Sequence, residues 1–449
     1  MMENKPRAAI NSLPPEVFVF VFSLSVPRQC MPFEPDQSRI SSYGFVNVCR
    51  YWRQIATSTP DLWAHIDISV ATRPNLLHLL LERGKNGPIN IHLLEFGFVR
   101  GIPRYNLPKT IPLLKPHMKR VRSLGIHFEE YSLDTSSLMI NQWLDYGDPA
   151  LVKALEIRVH PDFTRDDILN QLSKSENSEK LLFSISSLLL GSFVFPWDNG
   201  IYRNLTSLIL AGCTRVTVSE LYHILTACSQ TLALLELTRA ITIEDDTRGR
   251  SKYAPVVLHS LRALNLWGVY LANLALLFSL ISLPNPHKLD ASLPAHEDGQ
   301  KILEKFFARC PQLASLYCES VESQGSGWLA SQFFWLLPCV NTLLIVHGFR
   351  FLDEESTDED LSESSAPHIP NLILLNCSLT FRVLSSLITK HRVQNLRLEL
   401  CEIGSLHAGL MDHLRRSLSE SFPNLKCTIS NEDSTLFHPV RQPRIWSLA

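Results

Sequence analysis

The chain has 449 residues, 45% of them hydrophobic and 19% charged, with 42 Lys and Arg against 44 Asp and Glu for a formal charge of −2. That balance excludes a disordered chain and a globally basic nucleic-acid binder, and the length exceeds what one hydrophobic core commonly serves. Two domains or a repeat array are expected.

In chain order, Lys5 and Arg7 precede the apolar run VFVFVFSLSV, a pattern with some likeness to a secretion signal. Pro14, Pro15 and Glu16 separate the charges from the run, and no small-x-small cleavage site follows it. Other apolar runs, such as LALLFSLISL, are too short to span a bilayer. The ten Cys include no CxxC pair. Reduced thiols in the cytoplasm or nucleus are therefore expected, with no membrane partner and no nucleic acid.

SLPPEVFVFVFSL reads as a helix: Ser12 is available as a cap, and Pro14 and Pro15 suit a first turn, whose N–H groups need no intrahelical partner. Val17 to Phe22 is apolar at every position, and a helix apolar all round is buried all round. A second helix is expected from Ser41 or Ser42, with Phe45, Val48, Cys49, Trp52, Ile55 and Ala56 on one face and Asn47, Arg50, Arg53 and Gln54 on the other. Pro60 ends it, and DLWAHIDI alternates like a short strand. Cys49 is then a small buried hydrophobe and not a nucleophile. About fifty residues cannot cover both faces of the first helix. Either the larger C-terminal part covers the outer face, or a partner protein does.

The segment INSLPPEVFVFVFSL followed by FVNVCRYWRQIATSTPDLW resembles an F-box, in particular the F-box-like domains expanded in mushroom-forming fungi. Leu13, Pro14, Pro15 and Glu16 match the family's Leu-Pro-x-Glu start. Val48, Cys49, Arg50, Tyr51 and Trp52 match its Val-Cys-Arg-x-Trp core, and Leu62 and Trp63 its trailing Leu-Trp. The connection PRQCMPFEPDQSRIS is longer and richer in Pro than is usual for the family. The resemblance covers residues 10–66 and implies docking on the Skp-type adaptor of cullin-RING ubiquitin ligases. On that basis Leu13, Pro14, Val17, Val21, Phe22, Val48, Cys49, Trp52 and Ile55 are the expected adaptor-binding residues.

From residue 67 the template L-x-x-L-x-L-x-x-(N/C) recurs, the mark of leucine-rich repeats in which short strands line a solenoid. It is clearest at Leu205/Leu208/Leu210/Cys213, Leu261/Leu264/Leu266 and Val393/Leu396/Leu398/Cys401. Weaker copies have their second Leu position at 124, 155, 188, 235, 316, 343 and 375, and the gap before 316 leaves room for a degenerate copy near Leu289. VSELYHILTACSQ and GQKILEKFFARCPQ supply helices between strands. An ordinary α/β domain is the competing architecture. The template accounts for Cys213, Cys318, Cys377 and Cys401 as buried repeat positions. DEESTDEDLSESS, residues 353–365, reads as a solvated acidic insertion between repeats, with a phosphorylated or basic-partner-binding segment as the alternative. Residues 431–449 read as a tail without periodicity, with docking of Trp446 on the last repeat as the alternative, and residues 1–9 as an N-terminal tail.

The expected fold is thus α/β: a small helical F-box at 10–66, then a leucine-rich-repeat-like solenoid of parallel strands and helices over 67–430. No phosphate-binding loop, dinucleotide fingerprint, HExxH or GxSxG motif is present. His287, His296, Glu297 and Asp298 lack metal-ligand spacing. No catalytic residue, metal or cofactor is expected. The expected role is substrate receptor in a Skp-cullin-F-box ubiquitin ligase, reaching the cullin through the adaptor, with a scaffold acting outside ubiquitin ligation as the alternative. An unidentified protein target would meet the solenoid's inner face at Asn265, Trp267, Tyr317, Glu319, Arg397 and Glu399, which flank the repeat leucines.

Overall fold

The computed structural model describes residues 10, 13–25, 44–69, 72–94, 107–127, 133–159, 172, 174–192, 194–196, 198–212, 216–238, 243–244, 253–266, 268–295, 300–320, 328–329, 334, 336–346, 351–352, 366–403 and 411–430. The expected acidic insertion, both tails, the connection between the first two helices, Cys213, Trp267 and His296 to Asp298 lie outside them. The chain divides into two compact units, residues 1–195 with 199–205 and 443–449, and residues 196–198 with 206–442.

The first unit opens with α1 (Pro15–Ser25), a 3-10 turn over Gly44–Asn47 and α2 (Arg50–Ser58). A second 3-10 turn, Pro60–Trp63, leads into β1 (His65–Ser69). Four more strands follow, β2 (Ile89–Leu94), β3 (Val121–His127), β4 (Ala154–Arg158) and β5 (Ser187–Gly191), with helices α3 (Pro74–Arg83), α4 (Leu107–Leu114), α5 (Leu133–Tyr146) and α6 (Glu176–Phe183) between them. All pair in parallel and in chain order, with Ile66, Ile91, Leu124, Leu155 and Leu188 in one register row. Each residue of that row is buried, as is the position two further on in each strand. Alternation along a pleated strand thus fixes which side of every repeat joins the core.

The second unit repeats this plan in nine parallel strands of its main sheet: β6 (Ser207–Ala211), β7 (Leu234–Thr238), β8 (Ala263–Asn265), β9 (Asp290–Ala295), β10 (Gln312–Ser320), β11 (Cys339–Val346), β12 (Asn371–Leu375), β13 (Asn395–Glu399) and β14 (Lys426–Ser430). Their core row runs Leu208, Leu235, Leu264, Ala291, Leu316, Leu343, Leu372, Leu396 and Cys427. Parallel neighbours need a crossover of a dozen or more residues, and helices supply several of them. The predicted helices form as α7 (Val218–Cys228) and α9 (Gln300–Arg309), with α8 (Leu271–Leu280), α10 (Phe381–Lys390) and α11 (Met411–Ser421) beside them. Thr217 and Glu220 close a capping box on α7. Arg309 donates to the carbonyls of Phe278 and Ile281 at the end of α8, and Phe278 stacks on Phe306 of α9 at 4.2 Å.

The architecture is the expected α/β repeat of parallel strands and helices, with three differences in register. The copy assigned to Leu375 is centred on Leu372, so its template is Ile369/Leu372/Leu374/Cys377. The degenerate copy is β9, where Ala291 occupies the Leu position. β1, β2 and β14 are further repeat strands, hidden in the sequence because Ile or Cys replaces the template Leu.

Candidate functional site

α1 begins where the prolines dictate: the amides of Val17 and Phe18 both donate to Pro14 O, and Glu16 lies in the first turn, facing the positive end of the helix dipole. Its two apolar faces have different fates. Phe18 and Phe22, one turn apart, are 2% and 1% exposed. Phe22 stacks on Phe45 at 4.5 Å, the Phe18 and Phe22 rings each meet Trp52 at 5.3 Å, and Tyr51 meets the edge of Phe18 at 5.6 Å. Aromatic packing of this kind outweighs the weak helix propensity of a Val/Phe run.

The opposite face carries Val17, Phe20, Val21 and Leu24, spaced three and four residues apart, so they form one stripe. They are 39%, 63%, 48% and 68% exposed. Leu13, just before the helix, and Val48, just before α2, are exposed as well. Large apolar side chains lined up in water are costly at roughly 25 cal/mol per Å². Such a stripe is the mark of a surface that another molecule covers.

α2 starts later than its periodicity implies. Gly44–Asn47 forms a separate 3-10 turn, and Cys49 stands at the N-cap in extended conformation, its Sγ accepting from Trp52 N at 3.5 Å. Cys49 is therefore a half-buried cap and not a member of a continuous buried face, and Val48 points outward instead of inward. The chain is then held to β1 by Trp63, whose Nε1 donates to Ala56 O at 2.8 Å and whose ring lies under the Arg83 guanidinium at 4.4 Å.

Of the nine residues expected to meet an adaptor, Leu13, Pro14, Val17, Val21 and Val48 are exposed, Cys49 and Trp52 half-buried, and Phe22 and Ile55 buried. Phe22 and Ile55 form the interior on which the exposed residues rest. Phe20 and Leu24 join the stripe although the sequence reading did not single them out. Their spacing from Val17 and Val21 was the signal.

In the second unit the register positions next to the core row align across strands as Ile209, Glu236, Asn265, Ser292, Tyr317, Leu344, Ile373, Arg397 and Thr428. Asn265, Tyr317 and Arg397 are half-buried on this row, and Leu210, Leu237, Leu266 and Leu398 are buried beneath it. Ser207, on the same face, is buried and not accessible. Glu399 is also buried, and its carboxylate is engaged by the Arg397 guanidinium, so it orients Arg397 instead of offering a free acid. The side chain of Glu319 is outside the described residues. Beside the row, Asn395 Nδ2 donates to Asn371 Oδ1 at 2.7 Å, and Asn371 Nδ2 to Asn341 O at 2.6 Å.

The first unit holds a polar cluster on its strands that the sequence did not announce. His127 Nε2 and Arg158 Nε lie 2.9 and 2.8 Å from the same oxygen, Oε1 of Glu156, and His65 Nε2 lies 3.3 Å from Asp67 Oδ1. His92, fully buried among them, fits because Gly125 beside it has no side chain; a Cβ there would come within 2.5 Å of Nδ1. Burial, then the neighbouring His65, push the His92 pKa down to about 3. Burial alone would raise Glu156, but the His127 hydrogen bond and the Arg158 charge outweigh it and hold the carboxyl well below its usual range. No group of three or more His, Cys, Asp or Glu among the described residues has the arrangement of a metal site. No described helix is long and apolar enough to cross a membrane.

No protein-family model matches the chain. No curated protein matches it either. Among solved structures, the crystal structure of the Rad7 and Elc1 complex in yeast matches over 88% of this chain and 98% of that chain, with a TM-score of 0.38 and 12% identity. At that distance the likeness bears on neither partner nor activity.

Proposed function

We propose that this chain is a substrate-receptor subunit of a Skp-cullin-F-box type ubiquitin ligase, binding the adaptor through α1 and the start of α2 and a protein target through the outward row of the second unit. The observation that carries the reading is the pairing of the F-box-like motif with a helix whose outer apolar stripe is left in water. The resemblance supplies the partner that the stripe calls for. In this role the chain makes and breaks no bonds. It holds a target beside a charged conjugating enzyme, which raises the effective concentration of the target lysine. Tyr317 and Arg397 are the residue types that dominate binding energy at protein interfaces. Since they share one row, roughly three strand spacings of about 4.8 Å separate them, a span suited to an extended or helical segment of the target.

An affinity pull-down of the full chain from cells tests this. Recovery of adaptor together with cullin is the expected result. Adaptor without cullin would favour a scaffold outside ubiquitin ligation, and recovery of neither would remove the F-box reading.

A further inference from the structure

Cys377 and Cys401 occupy the same position in consecutive repeats, five residues after the core-row Leu372 and Leu396. The register aligns Leu375 with Glu399 before them and Ser378 with Glu402 after them, so the two cysteines face each other across one parallel step. Asn376 N donates to Glu399 O and Glu402 N to Cys377 O, both at 2.8 Å, which fixes that step on both sides. Asn376 and Leu400, the residues just before each cysteine, share the same left-handed turn, with φ of 53° and 52°, and so aim both side chains alike. Neighbouring strands lie about 4.8 Å apart, inside the Cα separation of about 4.4–6.8 Å that a disulfide needs.

The sulfurs lie near successive carbonyls of β12. Cys401 Sγ lies 3.2 Å from Leu374 O, and Cys377 Sγ lies 3.4 Å from Leu375 O, the next residue. Across this step each thiol also influences the ionisation of the other. That influence, with backbone donors around it, eases Cys401 down despite its burial, whereas Cys377 is held up by the same influence and by burial. By contrast, burial pushes Cys228 and Cys318 up to about 12.

We infer that Cys377 and Cys401 form a redox pair that closes to a disulfide when the protein meets a small two-electron oxidant of the peroxide class. The Cys401 thiolate attacks one peroxide oxygen, the O–O bond breaks, and hydroxide leaves, giving a sulfenic acid. The Cys377 sulfur then attacks the Cys401 sulfur, the S–O bond breaks, and the thiol proton leaves with the hydroxyl as water. Two thiols and one hydrogen peroxide thus give one disulfide and two waters. The bond ties two repeats together at the turn that follows β12 and β13, two residues from the Arg397–Glu399 pair.

The test uses the reduced full chain treated with hydrogen peroxide, blocked with N-ethylmaleimide and digested with trypsin without reduction. Trypsin separates the two cysteines at Arg382, Lys390, Arg392 and Arg397. The dominant cross-linked species detected by mass spectrometry should join the peptides of Cys377 and Cys401 and disappear with dithiothreitol. In Cys377→Ser the cross-link should be lost while dimedone traps Cys401 as its sulfenic acid. Recovery of both cysteines as maleimide adducts after peroxide, or cross-links spread evenly over other cysteines, would overturn the pair.

Discussion

Phe20 and Phe22 are two residues apart on α1 and have opposite tasks. Phe22 is sealed against Phe45 and Trp52, whereas Phe20 stands in water. Phe22→Ala should cost about 3–5 kcal/mol, as large-to-small changes in aromatic cores do, and should lower the denaturant midpoint of the first unit. Phe20→Ala should change the stability read from that transition by less than about 0.5 kcal/mol. Equal losses would mean that α1 has no free face. The buried cluster on β1 to β4 makes a second prediction at this scale. His92 ionises at about 3 in the fold and near its ordinary 6.5 in the unfolded chain. Between those values the unfolded chain binds the proton and the fold does not, so stability is lost as pH falls below 6.5. Glu156, held low, acts in the same direction: its contribution is present above the ordinary carboxylate pKa and is lost as pH falls through its own. Chemical denaturation from pH 7 to pH 4 should show falling stability, and His92→Asn should flatten the upper part of that fall. Parallel curves for the two proteins would contradict it.

Elements were legible where a periodic pattern met a clear stop, and less so where a local cap interrupted it. α1, α7 and α9 follow the prolines and the three-four spacing that announced them, and the structure adds the Thr217–Glu220 box at the start of α7. Thr217→Ala should destabilise α7 by about 1 kcal/mol, because the N3 amide loses its acceptor; calorimetric melting reads this, and an unchanged melt would show that the box is idle. The run from Phe45 to Ala56 kept helical spacing throughout, yet the backbone breaks at Cys49 because its sulfur caps the Trp52 amide. That break turns Val48 outward, where an unbroken helix would have buried it. Strands were found wherever Leu filled the template; β1 was read as a strand but not as a repeat, β9 only as a degenerate copy near Leu289, and β2 and β14 were missed where Ile91 and Cys427 stood in for Leu. The core accepts these side chains at the same register, so the fold tolerates a substitution that hides the repeat from a Leu-based template.

Across the molecule, repetition is the property that sequence conveys best, since every repeat must bury the same face against its neighbours. The outward row is legible for the same reason, because it alternates with the buried leucines. Its pairings are not: the engagement of Glu399 by Arg397 and the Asn371–Asn395 contact depend on which repeats are adjacent in space. Within α1 composition was the informative signal, since an unbroken apolar run exceeds what one packed face consumes. The account turns on the face left over. Isothermal titration of the full chain with a Skp-type adaptor tests it most directly, comparing the native protein with Phe20→Asp and Leu24→Asp, whose side chains stand outside the packed interior. Each substitution should weaken binding by more than roughly thirtyfold, the effect of losing an interface contact worth about 2 kcal/mol, at unchanged melting temperature. Full affinity in both variants would contradict the assignment of this face to the adaptor.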